Sequence, residues 1–161
     1  MLVCGVTQML KQPDNLNCDV LLVEDSFDDV YFIKRAWKEF GEPFDLIHVS
    51  DGEKARAFLL AEGEYSDRAS CLPPRLIVSD LKMPRWDGLQ LLRWVRGHAS
   101  LGGLPFIMLS SSPFETDINT AHAAGANAYF VKPRTLHGFI QLLSELSPFW
   151  RQEGSRRLPD P

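Results

Sequence analysis

The sequence predicts an α/β protein with a doubly wound (βα)5 fold and a five-stranded parallel sheet. Short, continuously apolar runs alternate with helix-period segments five times along the chain. Apolar strands of this kind are typical of parallel sheets that helices cover on both faces. The chain has 161 residues, which leaves no room for a second domain beside the five units.

The first two strand–helix units occupy the N-terminal part of the chain. The first apolar run is Val20–Val23, and Ser26 or Asp28 can cap the helix that follows it. Apolar residues recur in that helix at helical spacing: Tyr31, Ile33, Ala36, Trp37 and Phe40. We expect a short second strand over Phe44–Val49 and a helix over Asp51–Glu62.

The other three strands follow a polar loop over Gly63–Pro74. The third strand begins with Leu76–Val78 and ends at Asp80. The fourth is Phe106–Leu109, which runs into Ser110, and the fifth is Ala128–Val131, which runs into Lys132 and Pro133. β-Branched and aromatic residues enrich these runs, as expected for strands.

A helix is predicted after each of these strands. Leu89, Leu92 and Val95 give the third helix an apolar face, and the fourth, over Phe114–Ala124, is poor in large apolar residues. The last helix has a strong apolar face: Leu136, Phe139, Ile140, Leu143 and Leu146. We expect Pro148 to end it, since proline is unfavourable inside a helix.

We expect an N-terminal extension over residues 1–17, a folded domain over 18–150 and a disordered tail over 151–161. The net charge of −4 argues against binding to nucleic acid, which needs a basic surface. No apolar run approaches the roughly 18 residues of a membrane span. The odd number of cysteines, without Cys-x-x-Cys spacing, favours reduced thiols and a cytoplasmic location: Cys4, Cys18 and Cys71.

Polar side chains follow four of the five predicted strands. Glu24 and Asp25 follow the first, Asp80 the third, Ser110 the fourth and Lys132 the fifth. Open α/β sheets bind ligands beyond the carboxyl ends of their strands, so we expect these side chains to converge. An acidic residue after a strand is most often a turn or helix cap, so the interpretation depends on all five meeting at one edge.

This combination of side chains predicts phosphoryl transfer onto an aspartate. Two carboxylates about 4 Å apart repel by roughly 4 kcal/mol at an effective dielectric constant near 20. Mg²⁺ relieves such repulsion and takes only one or two carboxylates, so another carboxylate stays free to attack phosphorus. An ammonium and a hydroxyl then hold the phosphoryl oxygens as charge develops.

Four segments resemble the motifs of two-component response-regulator receiver domains. They are Val23-Glu24-Asp25, Asp80-Leu81-Lys82-Met83-Pro84 with Asp87-Gly88, Leu109-Ser110 and Tyr129-Phe130-Val131-Lys132-Pro133. The resemblance covers about Cys18–Ser147 and implies the receiver (flavodoxin-like) fold. It also implies a signalling protein that catalyses its own phosphorylation and dephosphorylation, without a turnover substrate.

The resemblance implies a role for each predicted site residue. Asp80 would accept a phosphoryl group from a histidine kinase in a Mg²⁺-dependent reaction. Asp25, Asp80 and the backbone carbonyl of Lys82 would bind Mg²⁺, with Glu24 assisting. Lys132 would form an ion pair with the phosphoryl group, and Ser110 would donate a hydrogen bond to it. Tyr129 would be the switch, a side chain that changes rotamer with phosphorylation.

A narrower resemblance concerns Glu62-Gly63-Glu64-Tyr65, the loop after it, and Pro148-Phe149-Trp150. These segments are similar to the small single-domain response regulators of bacterial phytochrome kinases, which have no output domain and signal through their own surface. We therefore expect a homodimer on the face of the fourth helix, fifth strand and fifth helix, with Phe149 and Trp150 exposed beside it. The alternative is that the two aromatic side chains fold back onto their own core.

Two other functions are weighed against a receiver. An Asp-nucleophile phosphohydrolase usually has a second aspartate two residues after the nucleophile, where this chain has Lys82, which cannot protonate a leaving group. A phospho-independent pseudo-receiver, used only as a docking module, would lack a site residue, and none is missing.

Overall fold

A computed structural model describes residues 18–41, 45–69 and 71–150. The predicted extension over residues 1–17, the predicted tail over 151–161 and Phe44 lie outside the described residues. Five parallel strands form one sheet: β1 Val20–Val23, β2 Leu46–Val49, β3 Leu76–Asp80, β4 Phe106–Ser110 and β5 Ala128–Val131. Their order, β2-β1-β3-β4-β5, is that of the doubly wound flavodoxin-like fold, so the predicted fold is confirmed.

Five α-helices connect and follow the strands: α1 Phe27–Glu39, α2 Gly52–Leu60, α3 Gly88–Gly97, α4 Glu115–Ala123 and α5 Leu136–Trp150. Four begin at a polar residue whose side chain accepts a backbone N–H, including Thr135, which accepts the N–H of Gly138 at the start of α5. Of the two caps considered for α1, Ser26 is the one used, and it accepts a hydrogen bond from the backbone N–H of Asp29. Asp51 caps α2, and Asp87 forms a capping box with Gln90 at the start of α3.

The loop after α2 is more ordered than the sequence predicts. Gly63–Arg68 forms a 3₁₀ helix within the segment that was expected to be a polar loop. Arg68 is buried there, donates a hydrogen bond to the backbone carbonyl of Phe58 at 2.8 Å and lies over its ring. The Phe58 carbonyl also accepts the backbone N–H of Ala61, so the arginine adds a second donor near the C-terminus of α2.

Helices cover both faces of the sheet. Alternate residues of a strand point to opposite faces, so Leu21 packs on one side of β1 and Leu22 on the other. The Leu21 side is covered by α2, α3 and α4, and the Leu22 side by α1 and α5. Both faces are apolar along the strands, which leaves the strand ends as the place for polar chemistry.

The expectation that Pro148 ends the last helix is wrong. The helix α5 continues through Pro148 to Trp150, whose side chain is 0% exposed. The ring of Trp150 packs edge-on against those of Trp37 and Phe40, with centroids 5.3 and 6.3 Å away. Proline inside a helix costs about 3 kcal/mol, and burial of a large aromatic side chain offsets that cost because it contributes about 1.5–3 kcal/mol.

The aromatic pair is therefore part of the domain core. Phe149 is partly buried against the same cluster as Trp150, so both side chains fold back onto their own chain. The carbonyl oxygen of Trp150 accepts a hydrogen bond from Arg75 at 3.4 Å, which ties the end of α5 to the start of β3. The expected exposure of these two side chains beside a dimer interface is incorrect.

Trp150→Ala should lower the free energy of unfolding by about 3–5 kcal/mol, the usual cost of removing a buried aromatic side chain. Phe149→Ala, which removes a partly buried side chain, should cost no more than about 2 kcal/mol. Urea denaturation of both variants beside the wild type measures the difference. Similar losses for the two variants would contradict this placement of Trp150.

Candidate functional site

The predicted site residues lie at the carboxyl end of the sheet. Glu24 directly follows β1, Asp80 ends β3, Ser110 ends β4 and Lys132 directly follows β5. The backbone N–H of Lys132 donates to the carbonyl of Ser110 at 2.8 Å, which continues the pairing of β4 and β5 by one residue. The parallel register therefore brings all of these positions to one edge, as the sequence predicts.

The ammonium of Lys132 joins three carboxylates. Its Nζ lies 2.7 Å from Oε2 of Glu24, 2.8 Å from Oδ2 of Asp29 and 3.4 Å from Oδ2 of Asp80. The Lys132 side chain is 7% exposed, so these ion pairs form away from bulk water. Sequence reasoning missed Asp29, whose signal is its place in the first turn of a helix that begins just after β1.

Three carboxylates form a cluster beside this ammonium. Glu24, Asp25 and Asp80 each offer an oxygen atom, and these oxygens lie within 4.8 Å of one another. Glu24 and Asp80 are buried, whereas Asp25 is exposed. Hard divalent cations prefer oxygen ligands at this kind of spacing, so the donor set fits Mg²⁺ or a similar ion. The side chain of Lys82 is exposed just after β3, and its carbonyl as a ligand stays a prediction.

Burial and charge shift the acid–base behaviour of the site in opposite directions. Burial, together with the nearby Asp80 charge, raises the pKa of Glu24 to about 7, and the hydrogen bond from Lys132 opposes this shift. Burial also raises the pKa of Asp80, while Lys132 and the backbone N–H of Leu81, 2.7 Å from Oδ1, oppose the shift. Burial alone would lower the pKa of Lys132, but Asp29 and Glu24 outweigh it and raise that pKa.

The predicted switch residues Ser110 and Tyr129 meet through Ser112. The Ser110 side-chain oxygen is buried and accepts a hydrogen bond from the Ser112 backbone N–H at 3.2 Å. The Tyr129 hydroxyl donates to the Ser112 carbonyl at 2.8 Å. The Ser112 hydroxyl donates to Asp117 on α4 at 2.5 Å. A short network thus connects the end of β4 with β5 and α4.

The loop between β3 and α3 is fixed by a second set of contacts. Gly88 begins α3 so close to β3 that a Cβ atom there would lie 2.0 Å from the Asp80 carbonyl oxygen. Arg85 adopts a left-handed conformation with φ of 66°, and its guanidinium pairs with the buried Asp51 and with Glu53. These contacts hold the segment that carries Lys82 against the start of α2.

Residues 20–144 of the chain match the response regulator receiver domain family. The chain belongs to this family. This match confirms the resemblance inferred from the four sequence motifs. Receiver domains take part in two-component signalling. The fold and the acidic cluster at the carboxyl end of its sheet thus occur in a member of the receiver domain family.

The relatives include response regulators of phytochrome systems. The receiver is 31% identical over 131 residues to response regulator Rcp1 of Synechocystis sp., a match that covers 81% of this chain and 87% of Rcp1. It resembles the structure of the phosphorylated cyanobacterial phytochrome response regulator RcpA, with a TM-score of 0.73, 31% identity and coverage of 88% and 97% of the two chains. Response regulator RPA3017, in red light signalling of R. palustris, has a TM-score of 0.77, 30% identity and coverage of 86% and 97%. The narrower resemblance is thereby confirmed.

Among the described residues, none of the helices is both long and apolar enough to cross a bilayer.

Divalent-cation affinity of the receiver should fall about tenfold between pH 8 and pH 6, because a glutamate with a pKa near 7 is mostly protonated at the lower pH. As the pH falls, protons compete with the cation for the Glu24 carboxylate. Calorimetric titration with Mg²⁺ at both pH values measures the change. Glu24→Gln is the control, since glutamine does not titrate, and an unchanged pH dependence in that variant would contradict the assignment.

Proposed function

We propose that this receiver accepts a phosphoryl group on Asp80 from a histidine kinase in a Mg²⁺-dependent reaction, and that it acts as a single-domain response regulator. The observation that carries the proposal is the surroundings of the Asp80 carboxylate. It lies 3.4 Å from the Lys132 ammonium and within a cluster of three carboxylates that suits a divalent cation. The chain also matches 87% of the length of Rcp1 and 97% of RcpA.

The two oxygens of Asp80 have different surroundings. Oδ1 accepts the Leu81 N–H, and Oδ2 faces Lys132. In transfer from a phosphohistidine, an Asp80 oxygen forms the new P–O bond while the P–N bond breaks, and the imidazole nitrogen keeps the electron pair. The ammonium of Lys132 and the hydroxyl of Ser110 then stabilise charge on the phosphoryl oxygens.

Mg²⁺ fits the same group of residues. Asp25, Asp80 and the carbonyl of Lys82 would hold it, with Glu24 assisting, and it would supply positive charge to the phosphoryl oxygens. The Mn²⁺-bound form of Rcp1, a structure with 29% identity and a TM-score of 0.72, supports divalent-cation binding in this part of the family. A buried site with excess carboxylate charge is otherwise costly, which also favours a cation here.

Phosphorylation would change the surface through Ser110 and Tyr129. If the Ser110 side chain turns toward the phosphoryl group to donate its hydroxyl, its oxygen leaves the Ser112 N–H, and the loop to which Tyr129 and α4 are bonded shifts. The side chain of Tyr129 then changes rotamer, and the face of α4, β5 and α5 presents a different surface. This is the face through which we propose that the receiver forms a homodimer and signals from the cytoplasm.

The proposed phosphodonor is a phytochrome-type histidine kinase. The support is the set of relatives, because RcpA is a phytochrome response regulator and RPA3017 acts in red light signalling. The phosphohydrolase alternative has less support, since the residue two after Asp80 is the exposed Lys82. Labelling of the wild type distinguishes phosphotransfer from the remaining alternative, a phospho-independent docking module.

Asp80→Asn should abolish Mg²⁺-dependent labelling by a phosphorylated phytochrome kinase and by acetyl phosphate, because the amide keeps the size of the side chain but is not a nucleophile. Ser110→Ala keeps the Asp80 nucleophile and should still be labelled, although more slowly, because it loses only a hydroxyl that stabilises the phosphoryl charge. Mass spectrometry of the intact protein detects the added phosphoryl group. Labelling of Asp80→Asn would contradict the acceptor assignment, and an unlabelled wild type would favour the docking module.

Two exposed apolar side chains replace the aromatic pair as the basis for the homodimer. Phe114 at the start of α4 is 65% exposed and Val131 at the end of β5 is 46% exposed. About half of each side chain is already covered, so its burial in a dimer would contribute about 1–2 kcal/mol. A symmetric dimer carries both side chains on both protomers, and 1.4 kcal/mol is tenfold in affinity, so Phe114→Ser with Val131→Ser should raise the dimer Kd at least about a hundredfold.

Light scattering of the protein with and without beryllofluoride measures this Kd. Phe27→Ser is the control, because Phe27 is 88% exposed but lies on α1, which is not part of the proposed interface. This control should leave the dimer intact. A wild type that is monomeric in both conditions would contradict the homodimer.

A further inference from the structure

The ammonium of Lys132 is held more closely by Asp29 than by the proposed acceptor Asp80. We propose that Asp29 is a positioning residue that competes with the phosphoryl group for Lys132, and so sets how strongly Asp80 retains a phosphoryl group. The inference rests on the proposed function. It concerns a residue outside the acidic cluster of Glu24, Asp25 and Asp80.

The distances show how the ammonium is shared. An ammonium has three N–H donors, and charge-assisted N–H···O bonds measure about 2.7–2.9 Å. Glu24 and Asp29 lie within that range of Nζ, whereas Asp80 lies at 3.4 Å. The acceptor carboxylate therefore has the weakest contact of the three, and Lys132 must move or exchange a partner to bind a phosphoryl group closely.

Asp29 is the partner that Lys132 can leave at the lowest cost. The Glu24 side chain is 1% exposed and would be left as a buried charge, whereas the Asp29 side chain is 31% exposed and can be solvated. Glu24 is also a member of the cluster that fits a divalent cation, and Asp29 is not. The exchange thus runs from Asp29 to the phosphoryl group.

The charges favour the same exchange. Among the described residues, three carboxylates lie within 4 Å of this ammonium, those of Glu24, Asp29 and Asp80, and Asp25 lies in one cluster with two of them. A phosphorylated side chain carries about −1.5 to −2 charge at pH 7, which is more than the single charge of the carboxylate that it replaces on Asp80. The Asp29 charge therefore opposes the phosphoryl group both by repulsion and by holding its counter-ion, and its removal favours phosphoryl binding.

The test uses beryllofluoride, a phosphoryl analogue, titrated into the receiver at saturating Mg²⁺. Asp29→Asn should bind it about tenfold more tightly than the wild type, since no charge-assisted hydrogen bond to Lys132 has to be broken. Asp28→Asn is the matched control. Asp28 is an exposed neighbour in the same turn of α1, so its substitution changes the net charge and the helix terminus equally. It should stay within about twofold of wild type.

A second measurement separates positioning from a general structural effect. The Nζ resonance of Lys132 in the protein without beryllofluoride should shift in Asp29→Asn and stay in place in Asp28→Asn. Asp29→Glu, which restores the charge, should return the beryllofluoride affinity toward the wild-type value. Thermal unfolding of each variant shows whether it is folded.

The outcomes distinguish this inference from the proposed function. If the wild type binds beryllofluoride but Asp29→Asn binds it with equal or lower affinity, only the role of Asp29 is wrong. If the wild type binds no beryllofluoride and is not labelled on Asp80, the proposed function and this inference both fail.

Discussion

The buried ammonium of Lys132 is the interaction on which the rest of the site depends. Glu24 directly follows β1 and Asp80 ends the neighbouring β3, and two buried carboxylates side by side are unfavourable without a counter-ion. The counter-ion is the ammonium of Lys132, which follows β5. Because β4 lies between β5 and β3, the register of these strands must be correct for the charges to pair. The bond from the Lys132 N–H to the Ser110 carbonyl holds that register at the last residue before the site. Sheet pairing and site electrostatics therefore support each other.

Much of the fold could be predicted because local signals and tertiary packing agree. The β5 bounds of Ala128 and Val131 were predicted to the residue, since polar residues and turn formers flank a short apolar run. The two failures are places where packing overrides a local rule. Pro148 stays inside α5 because its helix carries Trp150 into the core, and Gly63–Arg68 forms a 3₁₀ helix that has no apolar periodicity to reveal it.

The site could be predicted as far as the strand ends determine it. Glu24, Asp80 and Lys132 converge because parallel strands bring their carboxyl ends to one edge. The contact of Asp29 with Lys132 depends on how α1 is rotated about its axis, and the pairing of Arg85 with Asp51 depends on a left-handed residue. Neither helix rotation nor a rare backbone conformation is encoded in residue spacing.

The position of Trp150 has a consequence for how the domain is made. The family match ends at residue 144, but the core continues to Leu146 and Trp150. Trp150 packs on Trp37 of α1, so one of the first helices to be synthesised completes its packing only with the last. On a ribosome, α1 can complete its packing only after α5 has emerged. The unit that folds is thus longer than the unit that sequence comparison delimits.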